Sequence, residues 1–169
     1  MRKKHILPFL RSAAVFIAVS LSSSCHHAVN NETADIIEDV ESYMNERPDS
    51  ALTVIQSIGA DDLSSRELKA RHALLLSQAL DKNFIDLQSD SIIAPAVKFF
   101  EKSGDREALF KAYYYHARVL SNAGRYTEAM QIYLKAEEMS AKVNDLFAVG
   151  LLHSQIGGLN SQYFNYPKA

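Results

Sequence analysis

From Ala34 onward the apolar residues of this chain recur at helical intervals, and short polar or glycine-marked turns separate the runs in place of strand-like alternation. A chain of such segments must bury each apolar stripe against another helix, so the fold class is all-α and the question is how the helices pair. Ile36, Ile37, Val40, Tyr43 and Met44 share one face and define a first helix over about Ala34 to Glu46. Pro48 suits a first turn, Asp49 meets the positive end of the helix dipole, and Ala51, Leu52, Val54, Ile55 and Ile58 lead to Gly59 as C-terminal cap.

Ser64 and Glu67 have capping-box spacing and open a helix through Leu68, Ala73, Leu76, Ala79 and Leu80. A loop over about Asn83 to Asp90 follows, then a helix to Ser103 with Ala96, Val97 and Phe100 inward, whose start Pro95 moves toward itself. Gly104 stops that helix and Asp105 caps the next. The third hairpin carries Leu109, Tyr113, His116, Ala117 and Leu120, turns at Gly124 to Tyr126, and returns through Ala129, Ile132, Tyr133 and Ala136. A fourth begins after Asn144 and Asp145 with Leu146, Phe147, Leu152, Ile156 and Gly157. Four units result, about 34–60, 64–104, 105–143 and 144–169, the last incomplete. Leu152, Ile156 and Leu159 are expected to face a missing partner helix, which predicts a fragment of a longer protein.

Composition narrows the function classes. With 47% hydrophobic and 22% charged residues, disorder over the whole chain is excluded. Four of the 18 basic residues (Arg2, Lys3, Lys4, Arg11) precede position 24, where no acid occurs, so the remainder, holding all 20 acids, carries −6. A body of that sign does not attract phosphate backbones, and no nucleic-acid partner is expected. One cysteine excludes a disulfide framework and a Cys-rich zinc site.

Residues 1–24 have the order of an export signal: basic residues, the apolar run Ser12 to Leu21, then Ser22, Ser23 and Ser24. Ten helical residues cover about 15 Å, half of the ~30 Å hydrocarbon core, so the segment is too short to span. The small residues ending in Cys25 resemble a bacterial lipobox, with Leu21 one place early. That resemblance implies diacylation of Cys25 and membrane attachment through the lipid. Residues 25–33, including His26 and His27, then form a polar tether.

The third and fourth units overlay at a shift of forty residues, pairing Tyr126 with Tyr166, Ala129 with Ala169 and Ala117 with Gly157. Unit three resembles the tetratricopeptide repeat: Tyr113, Ala117 and Leu120 on its first helix, Gly124 and Tyr126 at the turn, Ala129, Tyr133 and Ala136 on its second. Small Ala117, Ala129 and Ala136 permit close approach while Tyr113, Tyr126 and Tyr133 fill the space between. Together with the lipobox, the segments Arg47 to Ile58, Ala73 to Asp90 and Lys111 to Arg118 are similar to exported tetratricopeptide-repeat lipoproteins of Bacteroidetes. The resemblance implies a right-handed solenoid of antiparallel helix pairs, about three and a half repeats.

No phosphate loop, HExxH or GxSxG is present, and an enzyme is not expected. His72, His116 and His153 fall on first helices of successive units and are read as packing residues, and acidic pairs such as Glu137 with Glu138 as solvated faces, so neither metal nor cofactor is expected. The resemblance maps a concave groove to Lys111, Tyr114, Arg118, Ser121 and Asn122, with Arg71, Gln78 and Lys82 as second-unit counterparts. Tyr113 is assigned to the core. Two cations and an aromatic edge there suit a peptide carboxylate. The expectation is a non-catalytic, lipid-anchored scaffold for protein partners in the cell envelope, on the periplasmic side. The alternatives are the sensor arm of a longer regulator and a glycan-capture outer-membrane lipoprotein.

Overall fold

The computed structural model of the chain describes residues 32–164, so the export segment, Cys25 and the pairings of Tyr166 and Ala169 lie outside the described residues. Among the described residues the fold is all-α. Helix α1 covers 32–43; then come α2 (Pro48–Ser57), α3 (Arg66–Lys82), α4 (Ala94–Ser103), α5 (Arg106–Asn122), α6 (Tyr126–Met139) and α7 (Leu146–Leu159). A π-helical turn, Asn160–Phe164, continues α7.

Successive helices from α2 to α7 pack on one another, and α3 also packs on α5. The apolar interior falls into two clusters. Ile37, Val40, Met44, Ala51 and Ile55 join Leu68, Leu75 and Ala79 of α3 in the first. Ala70 and Leu74, from the opposite side of α3, open the second, which runs through α4, α5 and α6 to Leu152, Ile156 and Leu159. Helix α3 is thus a wall with apolar residues on both sides.

Forty-residue steps recur in the backbone itself. The side chains of Ser65, Asp105 and Asp145 each cap a helix, accepting from the amides of Leu68, Ala108 and Ala148 at 3.0, 3.0 and 2.9 Å. The far ends of α3 and α5 match too: Ile85 N–H donates to the Leu80 carbonyl and Arg125 N–H to the Leu120 carbonyl, both at 2.9 Å. At the matching position between them the chain turns left-handed, at Phe84 (φ 59) and Gly124 (φ 73).

Several local expectations are corrected. Ser65, not Ser64, caps α3, because its extended backbone (φ −111, ψ 158) aims its hydroxyl at the first turn. Gly59 is not a left-handed cap: it stays extended at φ −74, its N–H donating to Asp62 Oδ2 at 3.0 Å. Leu152, Ile156 and Leu159 do not wait for a missing helix, since all three are buried in the second cluster. The exposed apolar residues of α7 are Leu146 and Phe147, on its first turn.

Gly124 meets its left-handed turn without strain, whereas Phe84 carries a Cβ into the same conformation and projects a ring that is 93% exposed. Phe84→Gly therefore raises the unfolding free energy by about 1 kcal/mol, and Gly124→Ala lowers it by a similar amount, both read from urea unfolding midpoints.

Candidate interaction groove

Ionic and amide side chains link α1, α3, α5 and α7 across the hairpins. Lys111 Nζ donates to Glu41 Oε1 at 2.9 Å, joining α5 to α1. Arg71 donates to Glu67 and to Asp105, each at 3.1 Å, and lies 4.0 Å from Glu41. Arg118 Nε donates to Asp81 Oδ1 at 2.8 Å and its NH1 to Gln155 Oε1 at 3.2 Å, so one guanidinium bridges α3, α5 and α7. Burial opposes the Arg118 charge, but Asp81 outweighs it and holds the group above its ordinary value. Asn122 donates to Asp86 at 2.9 Å, and Glu107 accepts from both the backbone and the side chain of Asn144 at 2.7 and 2.9 Å.

This network alters the expected site. Lys111 and Arg118 are not free cations waiting for a partner carboxylate, since each already has an internal acid. Tyr114 is 6% exposed, so it offers no open aromatic face; its ring packs edge-on against Tyr115 at 5.0 Å and obliquely against Tyr133 at 6.1 Å. Tyr113, assigned to the core, is only half-buried, with its hydroxyl donating to Glu101 at 3.0 Å. The cause is that α5 is enclosed by α3, α4 and α6, which buries Phe110, Ala112, Tyr114, Tyr115 and Val119 in addition to the single stripe read from spacing. Burial raises both phenols to about 12, Glu101 adding to the shift at Tyr113, so neither is an acid near neutrality.

Of the five groove positions, Lys111 and Tyr114 line a narrow cleft with Gln78 and Lys82, joined by Asn45 from the turn after α1 and by Asp145 and Phe147 from the start of α7. Arg118, Ser121 and Asn122 do not line it; Asn122 reaches instead to Asp86 in the loop after α3. Gln78 is 6% exposed and its Oε1 has no hydrogen-bond partner. Lys82 makes no ion pair among the described residues. The acids Glu41 and Asp81 were missed as groove members. Asp81, Arg118 and Gln155 stand thirty-seven residues apart, three short of the forty-residue step of the caps, so the repeat spacing does not point to Asp81.

The repeat positions sort by depth. Ala117, Leu120, Ala129, Tyr133 and Ala136 are buried, Gly124 is exposed at the turn, and the half-buried Tyr126 stacks on Tyr163 at 3.8 Å. The three histidines go to separate partners. His72 Nε2 meets the Ile55 carbonyl at 2.9 Å, His116 Nε2 meets Asp90 at 3.4 Å, and His153 Nδ1 meets Glu137 at 3.4 Å. Among the described residues no three metal-ligating side chains converge.

Comparison with protein-family models, with curated proteins and with solved structures finds no match.

Two expectations follow. Arg118→Met leaves the Asp81 carboxylate half-buried without its cation and lowers stability by roughly 2 kcal/mol; adding Asp81→Asn recovers part of that, so the double-mutant cycle is non-additive. The second concerns pH. Burial holds the His116 imidazole below its ordinary 6.5, against the pull of Asp90, so the folded chain takes up its proton less readily than the unfolded one. Its Nδ1 is buried and unpartnered, which fixes the proton on Nε2 facing Asp90. The unfolded chain takes up a proton that the folded one resists, so stability is full above 6.5 and falls as pH drops below it. Thermal midpoints for His116→Leu lose this slope between about pH 7 and pH 5. Asp90 adds a separate acid limb. Burial alone would raise it, but the His116 hydrogen bond and the charges of His116 and Arg125 hold it below 3.8, so its support is lost only at lower pH.

Proposed function

We propose that the chain is a lipid-anchored scaffold of the bacterial envelope, a right-handed solenoid of tetratricopeptide-like hairpins that holds a protein or peptide partner without catalysing a reaction. Equally spaced helix caps at Ser65, Asp105 and Asp145 and matched turns after Leu80 and Leu120 support the repeat reading. The observation that carries the binding reading is Gln78. A buried amide oxygen without a donor costs stability, and a partner seated over the mouth of this narrow cleft, parting Lys82 from Phe147, supplies the missing N–H. Lys82 then takes a partner carboxylate, and Phe147, 66% exposed, offers an apolar contact. With Lys111 and Arg118 already matched by acids, charge steering in this groove falls to Lys82. Attachment rests on Cys25, placed after a leader of export type, with the body on the periplasmic side.

Gln78→Leu separates binding from folding: it raises the stability of the free chain by about 1 kcal/mol and removes the partner. The test is photo-crosslinking in the native cell from benzoylphenylalanine placed at position 147. The expected product is a discrete adduct that disappears in Gln78→Leu and in Lys82→Glu; an adduct indifferent to both removes the groove from the account. Intact mass of the membrane-extracted product checks the anchor. Loss of residues 1–24 with acyl chains added is expected, and an unmodified Cys25 overturns that part.

A further inference from the structure

Arg66 and Lys69 on α3 and Lys98 and Lys102 on α4 line a cleft of about 600 Å³ between these two helices. All four side chains are exposed, and among the described residues none has an ion pair or hydrogen bond. Other basic residues are matched, Arg71 by Glu67 and Asp105, Lys111 by Glu41 and Arg125 by Glu128 and Asp90. Lys82, Arg106 and Lys142 are unpaired among the described residues but do not line this cleft, so what sets it apart is four unpaired cations gathered on two facing helices. No acid lines this cleft.

The placement works against α3, while on α4 Lys102 gains from the C-terminal end of the dipole and Lys98 stands three residues from Glu101. Lys98 and Lys102 stand one turn apart, as do Arg66 and Lys69, where opposite charges would support the helix and like charges weaken it. Arg66 and Lys69 also occupy the first turn of α3, where the helix dipole disfavours cations. Between the basic walls the floor is apolar, formed by buried Ala70, by Pro95 and by half-buried Phe99, whose ring meets Phe100 edge-on at 5.3 Å.

We propose that this cleft docks an acidic, extended segment of a partner protein, its carboxylates on the two basic walls and an apolar side chain on the Phe99 floor. Charge complementarity selects the occupant. Residues 1–24 of the chain carry Arg2, Lys3, Lys4 and Arg11 and no acid, the wrong sign. A bilayer surface is flat and leaves a recessed apolar floor uncovered. A nucleic-acid backbone needs more than four cations confined between two short helices on a body of −6. This surface is separate from the groove: α3 presents Arg66, Lys69 and Ala70 here, and Gln78 and Lys82 there.

The test is fluorescence anisotropy of a labelled synthetic peptide of alternating Glu and Leu against the full chain in detergent. Lys69→Glu with Lys98→Glu weakens binding about tenfold, binding falls steeply with added salt, and Gln78→Leu leaves it unchanged. The reversals relieve repulsion at Arg66 and Lys102 and set the new carboxylate at position 98 against Glu101, so the thermal midpoint stays close to that of the parent; should that pair fail to fold, Lys69→Gln with Lys98→Gln takes its place. Equal binding of a Lys-Leu peptide, or no effect of the substitutions, overturns the proposal. So does displacement of the peptide by inorganic phosphate at millimolar concentration, or tighter binding to anionic phospholipid vesicles. Ultracentrifugation covers the remaining occupant: self-association lost on charge reversal assigns the cleft to a second copy, whose α1 exposes Asp35, Glu38 and Asp39.

Discussion

Helix α5 has almost no face left for water, and the arrangement of its neighbours follows from that. Phe110, Ala112, Tyr115, Ala117 and Leu120 are buried along one helix, so α3, α4 and α6 must close around it from different sides. The alanines set how closely they can do so. Ala117 on α5 and Ala129 and Ala136 on α6 are fully buried, which lets the two backbones approach until Tyr133 fills what space remains. A larger side chain at any of the three forces the helices apart, and a smaller one at Phe110 or Tyr133 leaves a hole; in such cores either change costs about 1–5 kcal/mol.

The polar groups between the odd-numbered helices obey a second constraint: once the helices are this close, the charges between them must be satisfied internally. Arg118 illustrates it, held by Asp81 on one side and Gln155 on the other. The effect on function is direct. A cation used to fasten one unit to the next is no longer available to a ligand, so the polar chemistry left in the groove is that of Gln78 and Lys82. In the proposed complex, backbone hydrogen bonding and shape carry recognition there together with Lys82, the cleft cation that has no ion pair among the described residues.

Helix existence was legible in the sequence because it depends on local spacing and on capping residues three positions apart. Asp105 was read as a cap from its place after Gly104, a stop with left-handed φ of 84, whereas the three-residue spacing of Ser64 and Glu67 pointed one residue early. What local spacing could not give was which neighbours surround a helix. On α5 it selected the stripe through Leu109, Tyr113 and Leu120 and so interchanged the roles of Tyr113 and Tyr114, because a helix packed from several sides has no single inward face. Phe84 was illegible for another reason. No composition signal marks an aromatic residue in a left-handed turn, and only the forty-residue match with Gly124 exposes it. Lys111 and Arg118 were read as one binding face, but only Lys111 lines the cleft, and their partners Glu41 and Asp81 come from distant helices, which local spacing does not reveal.

The distribution of unmatched charge then separates the two surfaces. Between the odd-numbered helices most acids and bases pair, Lys82 excepted, which leaves a cleft whose buried unpartnered group is a neutral amide. Along α3 and α4 four cations face outward with no acid among them, although Glu67 and Glu101 are available on the same helices and turn elsewhere, to Arg71 and Tyr113. Helix α3 therefore presents a basic stripe on one side and an uncharged acceptor on the other. A chain that spends helix stability on both features, like-charge repulsion on one side and an unsatisfied carbonyl on the other, has two places where binding relieves a cost already present in the free protein. Because the two costs lie on different faces of one helix and involve no shared side chain, the two proposed binding events would be additive, occupancy of one surface leaving the affinity of the other unchanged.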